Sequence, residues 1–132
     1  MIIRFIVAGR PARDYALLIR DYEKRLSSFC RFERVEVRSE KNIPSKLKGF
    51  VVVCSQEGVQ MSSREFAQFL KGKQEVSFVV GPAQGLSNSV KLRAQMVLSL
   101  SSMTLPHDMA HLVLAEQVYR AFTILKGRKY HK

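Results

Sequence analysis

The apolar positions of this chain fall into short continuous runs separated by amphipathic stretches. Ile2 to Ala8 is one such run, ended by Gly9-Arg10-Pro11, and it reads as a buried first strand. Asp14 to Ser27 predicts a helix, with Leu17, Leu18, Tyr22 and Leu26 at helical spacing and Lys24 and Arg25 near the end where cations suit the dipole. Phe32 to Val37 predicts a second strand, and the polar, lysine-containing stretch Arg38 to Lys48, which holds Pro44, an exposed basic loop. Phe50-Val51-Val52-Val53-Cys54 has the unbroken apolar character of a central parallel strand covered on both faces, and Ser55 to Gly58 closes it. Ser62-Ser63-Arg64-Glu65 has capping-box spacing and opens a helix carrying Phe66, Phe69 and Leu70 that stops at Gly72. Val76 to Val80 predicts the next buried strand, Asn88 to Gln95 a short helix and Met96 to Leu100 a last strand. Asp108 is placed to cap a long helix that runs through Lys126 and ends at Gly127.

Strands alternating with helices predict an α/β fold with a mostly parallel sheet, in a single domain over residues 1–132. Ligands of such sheets sit at the carboxyl ends of the strands, so the loops after Cys54, Val80 and Leu100 become the candidate site. The last helix is apolar around most of its circumference, from Met109 through Leu112, Val118 and Phe122 to Leu125, more than one sheet face needs. That excess predicts a second protein surface, and a homodimer is the commonest way to supply one.

Twenty-two Lys and Arg against eleven Asp and Glu give a formal charge of +11. Such a surface attracts polyanions, since neutralising phosphates releases counterions. RNA, DNA and anionic membranes all qualify, and the charge also serves plain solubility. Two cysteines, Cys30 and Cys54, are too few for a disulfide framework or a paired-cysteine zinc site. No apolar run reaches membrane-spanning length and the first is too short for a signal peptide, so the reading is cytoplasmic with no membrane partner.

The chemistry-bearing residues exclude more than they select. Gly81-Pro82-Ala83-Gln84-Gly85 follows a strand, where its glycines serve either a tight turn or close approach of the backbone to a nucleotide. It lacks both the Gly-Lys-Ser/Thr of a phosphate loop and the Rossmann glycine spacing. His107, His111 and His131 show no zincin pattern and no carboxylate at a recognisable spacing, so no metal is expected. His111 reads either as a surface residue or as a neutral core histidine. Glu57, Glu65 and Glu116 form no evident acid pair, and no serine sits in a nucleophile elbow. The tail, Lys126-Gly127-Arg128-Lys129-Tyr130-His131-Lys132, sets cations around one aromatic, which suits either phosphate contact with base stacking or a frayed, solvated end.

Three segments taken together carry a resemblance: Phe78 to Ser87, Leu98 to His107 and Leu114 to Ala121, with the closing Tyr130-His131. In order and spacing they resemble the ribosomal RNA large subunit methyltransferase H family of the SPOUT superfamily, over essentially the whole chain. The resemblance implies a deep trefoil knot in the C-terminal half, a homodimer, S-adenosyl-L-methionine as cofactor, and N3-methylation of a pseudouridine in helix 69 of large-subunit rRNA, free or in the assembled ribosome. It also implies site residues. Cys54, Gly81, Gly85 and the loop Leu100, Ser101, Ser102, Met103, Thr104 and Leu105 fall at cofactor-contacting positions, while Arg120, Tyr130 and His131 fall where the family faces RNA from the partner subunit. In this arrangement Arg120 offsets negative charge on the base, Tyr130 orients it, and His131 is a proton acceptor. The family's Gly-Gly-Pro-Glu-Gly stands here as Gly81-Pro82-Ala83-Gln84-Gly85, so one glycine and the acid are lost. Gln84 cannot ionise, though it can hydrogen-bond. The altered loop motivates an alternative, a non-catalytic RNA-binding or ribosome-assembly module on the same fold.

Overall fold

Alternation along β1 (Ile2–Ala8) decides how the molecule is layered. In the computed structural model, which describes residues 1–82 and 85–132, Ile3, Phe5 and Val7 point to one face and Ile6 and Ala8 to the other. Four further strands, β2 (Arg31–Val37), β3 (Phe50–Gln60), β4 (Glu75–Val80) and β5 (Met96–Ser99), complete a five-stranded sheet in the order β2-β1-β4-β3-β5, parallel throughout. Every strand therefore delivers its carboxyl end to the same edge.

The two faces are covered unequally. Three helices, α1 (Arg13–Leu26), α2 (Ser63–Leu70) and α4 (His107–Leu125), lie over Ile3, Phe5, Val52, Phe78 and Val80 and supply Leu26, Phe66, Leu70, Leu114, Val118 and Phe122 to that core. Among the described residues, the opposite face, with Ile6, Val51, Val53 and Val79, is closed by the single turn α3 (Asn88–Lys91) and short irregular segments, with Ile43, Leu86 and Val90 buried there. Arg4 points to this thinner side yet is only 5% exposed. Its charge is matched by Glu33 at 3.0 Å on β2 and Glu75 at 3.1 Å on β4, so no unpaired charge is buried.

Several boundaries differ from the sequence expectation, each for a local reason. The stretch 38–48 is not simply an exposed loop. It forms two 3-10 turns, Glu40–Asn42 and Pro44–Lys46, around a fully buried Ile43. β3 does not close at Ser55: Cys54 and Val59 both pair with Leu98, so residues 55–58 bulge out and the strand resumes to Gln60. A Cβ on Gly58 would collide with the Val97 carbonyl. The helix expected to reach Gln95 stops at Lys91, because Gln95 is already tied to β3, its backbone N–H donating to the Val51 carbonyl and its Oε1 accepting the Val51 N–H at 2.7 Å. β5 likewise ends at Ser99 and releases Leu100 into the following loop.

Helix ends mostly follow the chemistry of their residues. Ser62 and Glu65 form the expected reciprocal capping box on α2, and the backbone bond from Ser62 holds the Glu65 carboxyl below its usual range. At the end of α4, Gly127 takes φ +68 and the N–H of Arg128 donates to the Thr123 carbonyl at 2.8 Å, a Schellman arrangement. Asp108, expected as the α4 cap, lies inside the first turn instead, behind Pro106, and its Oδ2 accepts the N–H of Ala12 at the start of α1. α4 is also less bare than its composition suggests. It lies in one layer with α1 and α2, which cover much of the circumference expected to need a partner, and Met109 remains 37% exposed.

Gly49, just before β3, has φ +69, and a Cβ there would meet the Glu75 carbonyl oxygen and sit 2.7 Å from its Cγ. Gly49→Ala is therefore expected to cost about 2–4 kcal/mol of stability from left-handed strain plus overpacking, read as a lower urea midpoint with unchanged slope.

Candidate functional site

The bulge after Cys54, the turn after Val80 and the loop after Ser99 meet at the carboxyl edge around a cavity of about 390 Å³, within the range of small-molecule sites. Of the positions expected at a cofactor, Cys54, Gly81, Gly85, Leu100, Ser101, Met103, Thr104 and Leu105 line it; Ser102 does not and is exposed to solvent. Gln84 lies outside the described residues. Glu57, Leu86, Lys91, His107 and Ala110 also face the cavity and were not singled out as binding residues from the sequence. The signal for the first three was proximity to the glycine turn and the bulge, and for His107 its place directly behind the loop.

The cavity walls are held by their own hydrogen bonds. Ser101 Oγ accepts the Met103 N–H at 2.9 Å, and Ser99 Oγ donates to the Ser101 carbonyl at 2.9 Å, which sets the curvature of the 100–105 loop. Thr104 Oγ1 donates to Gln56 Oε1 at 2.8 Å and Lys91 reaches Glu57 at 3.6 Å, joining the bulge to both neighbouring loops. At Gly81 there is no room for a side chain: a Cβ would sit 2.5 Å from the Cγ of Leu86. Burial pushes the Cys54 thiol up to about 12, so the thiol itself is uncharged at neutral pH. The result is a lining of small, apolar and polar side chains, a set suited to a nucleoside with a flexible tail. Among the described residues no three His, Cys, Asp or Glu side chains gather as metal ligands, and no helix is long and apolar enough to cross a membrane.

Arg120, Tyr130 and His131 are brought together, but elsewhere. Arg120 follows Ala110 by ten residues, about 15 Å along α4 at helical rise. Glu116 is the hub of this second cluster. Its Oε2 accepts from Arg120 Nη2 at 2.7 Å and from the Tyr130 hydroxyl at 2.8 Å, and Arg120 Nη1 lies 3.0 Å from His131 Nδ1. The Arg120 guanidinium lies 4.9 Å from the Tyr130 ring centroid, and the Tyr22 hydroxyl of α1 is 3.3 Å from that of Tyr130. The hydrogen bond to Glu116 raises the Arg120 pKa; burial first, then bonds to Tyr22 and Glu116, raise that of Tyr130. Both therefore keep their protons: a cation and a neutral phenol. Glu116 has no acid partner at a recognisable spacing, and the signal that marks it in the sequence is its i,i+4 spacing to Arg120.

Two histidines have carboxylate partners that spacing did not show. His111 is 1% exposed, with Nε2 3.2 Å from Glu23 of α1, which also meets Arg34 at 3.3 Å. It packs in the core against Phe5. His107 Nε2 lies 3.0 Å from Asp108 Oδ1.

Comparison with known proteins agrees with this architecture. A family model described as predicted SPOUT methyltransferase matches residues 1–131. Ribosomal RNA large subunit methyltransferase H from Caldicellulosiruptor bescii is 34% identical over 153 aligned positions, covering 98% of this chain and 99% of the relative. The protein of the same name from Streptococcus equi subsp. zooepidemicus is 36% identical over 159 positions, covering all of both chains. Among solved structures, a probable methylase family protein from Haemophilus influenzae Rd KW20 superimposes with TM-score 0.61 at 14% identity, over 99% of this chain and 70% of that one. The SpoU methyltransferase AviRb from Streptomyces viridochromogenes, solved with AdoMet, gives TM-score 0.55 at 16% identity over 98% of this chain and 59% of that one. The parallel sheet, the cavity at its carboxyl edge and full-length similarity converge: the chain belongs to the SPOUT methyltransferase family, among the ribosomal RNA large subunit methyltransferase H proteins.

Proposed function

We propose that this protein is an S-adenosylmethionine-dependent rRNA methyltransferase that works as a homodimer and methylates N3 of a pseudouridine in helix 69 of the large-subunit RNA. The observation that carries the reading is the cavity itself, lined by eight of the nine positions at which the family resemblance places cofactor contacts. When bound, the cofactor supplies an electrophilic methyl group on a sulfonium. The chain's own part is to hold and orient. The preorganised 100–105 loop offers backbone groups and apolar side chains to the adenine, and Gly81, packed against Leu86, sets the turn on the opposite wall. The excess of cations favours RNA, and affinity is expected to fall steeply with salt.

A dimer is part of the proposal because the Arg120 cluster lies about 15 Å along α4 from the cavity of its own chain. A second copy brings an Arg120 and a Tyr130 to each cavity, where the cation offsets negative charge on the base and the phenol orients it. The C-terminal half is proposed to carry the family's trefoil knot, and the substrate is rRNA or the assembled cytoplasmic ribosome. The rival, an RNA-binding module without activity, draws on the sequence departure at Pro82 and Gln84. Calorimetric titration with S-adenosylmethionine separates them: the proposal expects micromolar binding at one site per chain, and no binding to a folded dimeric sample favours the rival.

A further inference from the structure

His131 and His107 differ in which ring nitrogen is already engaged. At His131, Nδ1 faces Arg120 Nη1 at 3.0 Å. A guanidinium only donates, so Nδ1 must accept and the ring proton sits on Nε2. That histidine has no free lone pair to offer a substrate proton. At His107 the situation is reversed. Nε2 faces a carboxylate oxygen, Asp108 Oδ1, at 3.0 Å, and a carboxylate only accepts. The neighbouring charge favours a proton on Nε2, which leaves Nδ1 its lone pair.

The carboxylate beside His107 is itself held. Asp108 is 8% exposed, and its Oδ2 accepts the Ala12 N–H at 2.9 Å, which ties the start of α4 to the start of α1 while Oδ1 lies 3.0 Å from His107 Nε2. His107 lines the cavity beside Thr104, Leu105 and Ala110, on the same chain as the cofactor loops. The other charged groups facing that space are Glu57 from β3 and Lys91 from α3, paired with each other at 3.6 Å, and the Cys54 thiol stays neutral. Among the described residues, His107 is the histidine that lines the cavity.

We infer that His107 is the proton acceptor of methyl transfer and Asp108 the residue that orients it and offsets its charge. The inference rests on the proposed reading that a ring N–H is methylated. In the step, the N–H proton passes to His107 Nδ1 and the electron pair left on nitrogen forms the new N–C bond. The C–S pair departs with sulfur, whose positive charge is thereby cancelled, and the imidazolium formed is paired with Asp108. Charge balances without any further reactant. His131 is then a positioning residue for Arg120.

The test measures single-turnover methyl transfer to ribosomes against pH, at saturating S-adenosylmethionine, for the wild type, His107→Gln, Asp108→Asn and His131→Gln. The wild-type rate is expected to fall on the acidic side as a histidine protonates. His107→Gln is expected to be slower by roughly 100-fold or more at neutral pH, to lose that acidic limb, and to bind the cofactor within about twofold of wild type. Asp108→Asn is expected to slow transfer with cofactor affinity unchanged, because the imidazolium formed in the step loses its paired charge, and His131→Gln to keep the limb in place. A long-range proton–nitrogen spectrum of ¹⁵N-histidine protein reads the tautomer without any turnover, and His107 protonated on Nε2 is expected. The inference is overturned if the limb survives in His107→Gln, if it disappears in His131→Gln, if His107 carries its proton on Nδ1, or if rate and cofactor affinity fall in parallel. A wild-type protein that binds the cofactor but methylates no RNA overturns the underlying reading, and the inference with it.

Discussion

Replacing Arg120 by alanine is expected to slow methyl transfer to ribosomal RNA by roughly 100-fold or more while leaving the cofactor Kd within about twofold. On α4, Glu116 and Arg120 sit one turn apart, and Glu116 takes the guanidinium at 2.7 Å and the Tyr130 hydroxyl at 2.8 Å. The cation is thus held by Glu116, and in the proposed mechanism stabilising charge that develops on the base requires no reorganisation. Stability should change little, since this partly exposed i,i+4 pair is worth at most about 1 kcal/mol. Single-turnover rates with saturating ribosomes, beside cofactor titration, separate the two effects. A rate close to wild type removes Arg120 from the mechanism.

Gly81→Val is expected to weaken cofactor binding by roughly 10-fold to 100-fold, the equivalent of about 1–3 kcal/mol of overpacking. Gly81 abuts Leu86, only 9% exposed and packed in the core of the thinner face, so an added side chain must displace Leu86 or push the turn into the cavity. Calorimetry reads the loss directly, and an unchanged far-ultraviolet spectrum shows that the sheet has survived. The two variants also test the dimer when mixed. If each site takes its loops from one chain and Arg120 from the other, a heterodimer of Gly81→Val with Arg120→Ala keeps one intact site. A random mixture then regains about a quarter of the wild-type rate. If both sets act within one chain, mixing restores nothing.

The sheet was legible because its strands are apolar runs bounded by turn residues, and Ile2 to Ala8 and Val76 to Val80 fall within a residue of their observed limits. The convergence of three loops followed from parallel strands alone. What escaped was decided by contacts distant in sequence. Gln95 is held by Val51, Asp108 by Ala12 and Ile43 by the far face of the sheet, and none of these pairings leaves a periodic trace. The bulge at residues 55–58 reads as a turn in sequence because it does leave the ladder before rejoining it. The cofactor positions came from the family resemblance rather than from spacing. The geometry adds the separation of Arg120 from the cavity and the different partners of His107 and His131, a carboxylate at Nε2 of one and a guanidinium at Nδ1 of the other, which a residue string cannot carry.

The most direct test of the account is incubation of purified protein with ribosomes and S-adenosylmethionine carrying a labelled methyl group, followed by mass spectrometry of large-subunit RNA. One label per ribosome on a pseudouridine of helix 69, dependent on the cofactor, is the predicted result. Label absent from rRNA, both free and assembled, with a folded protein that binds the cofactor, would contradict it.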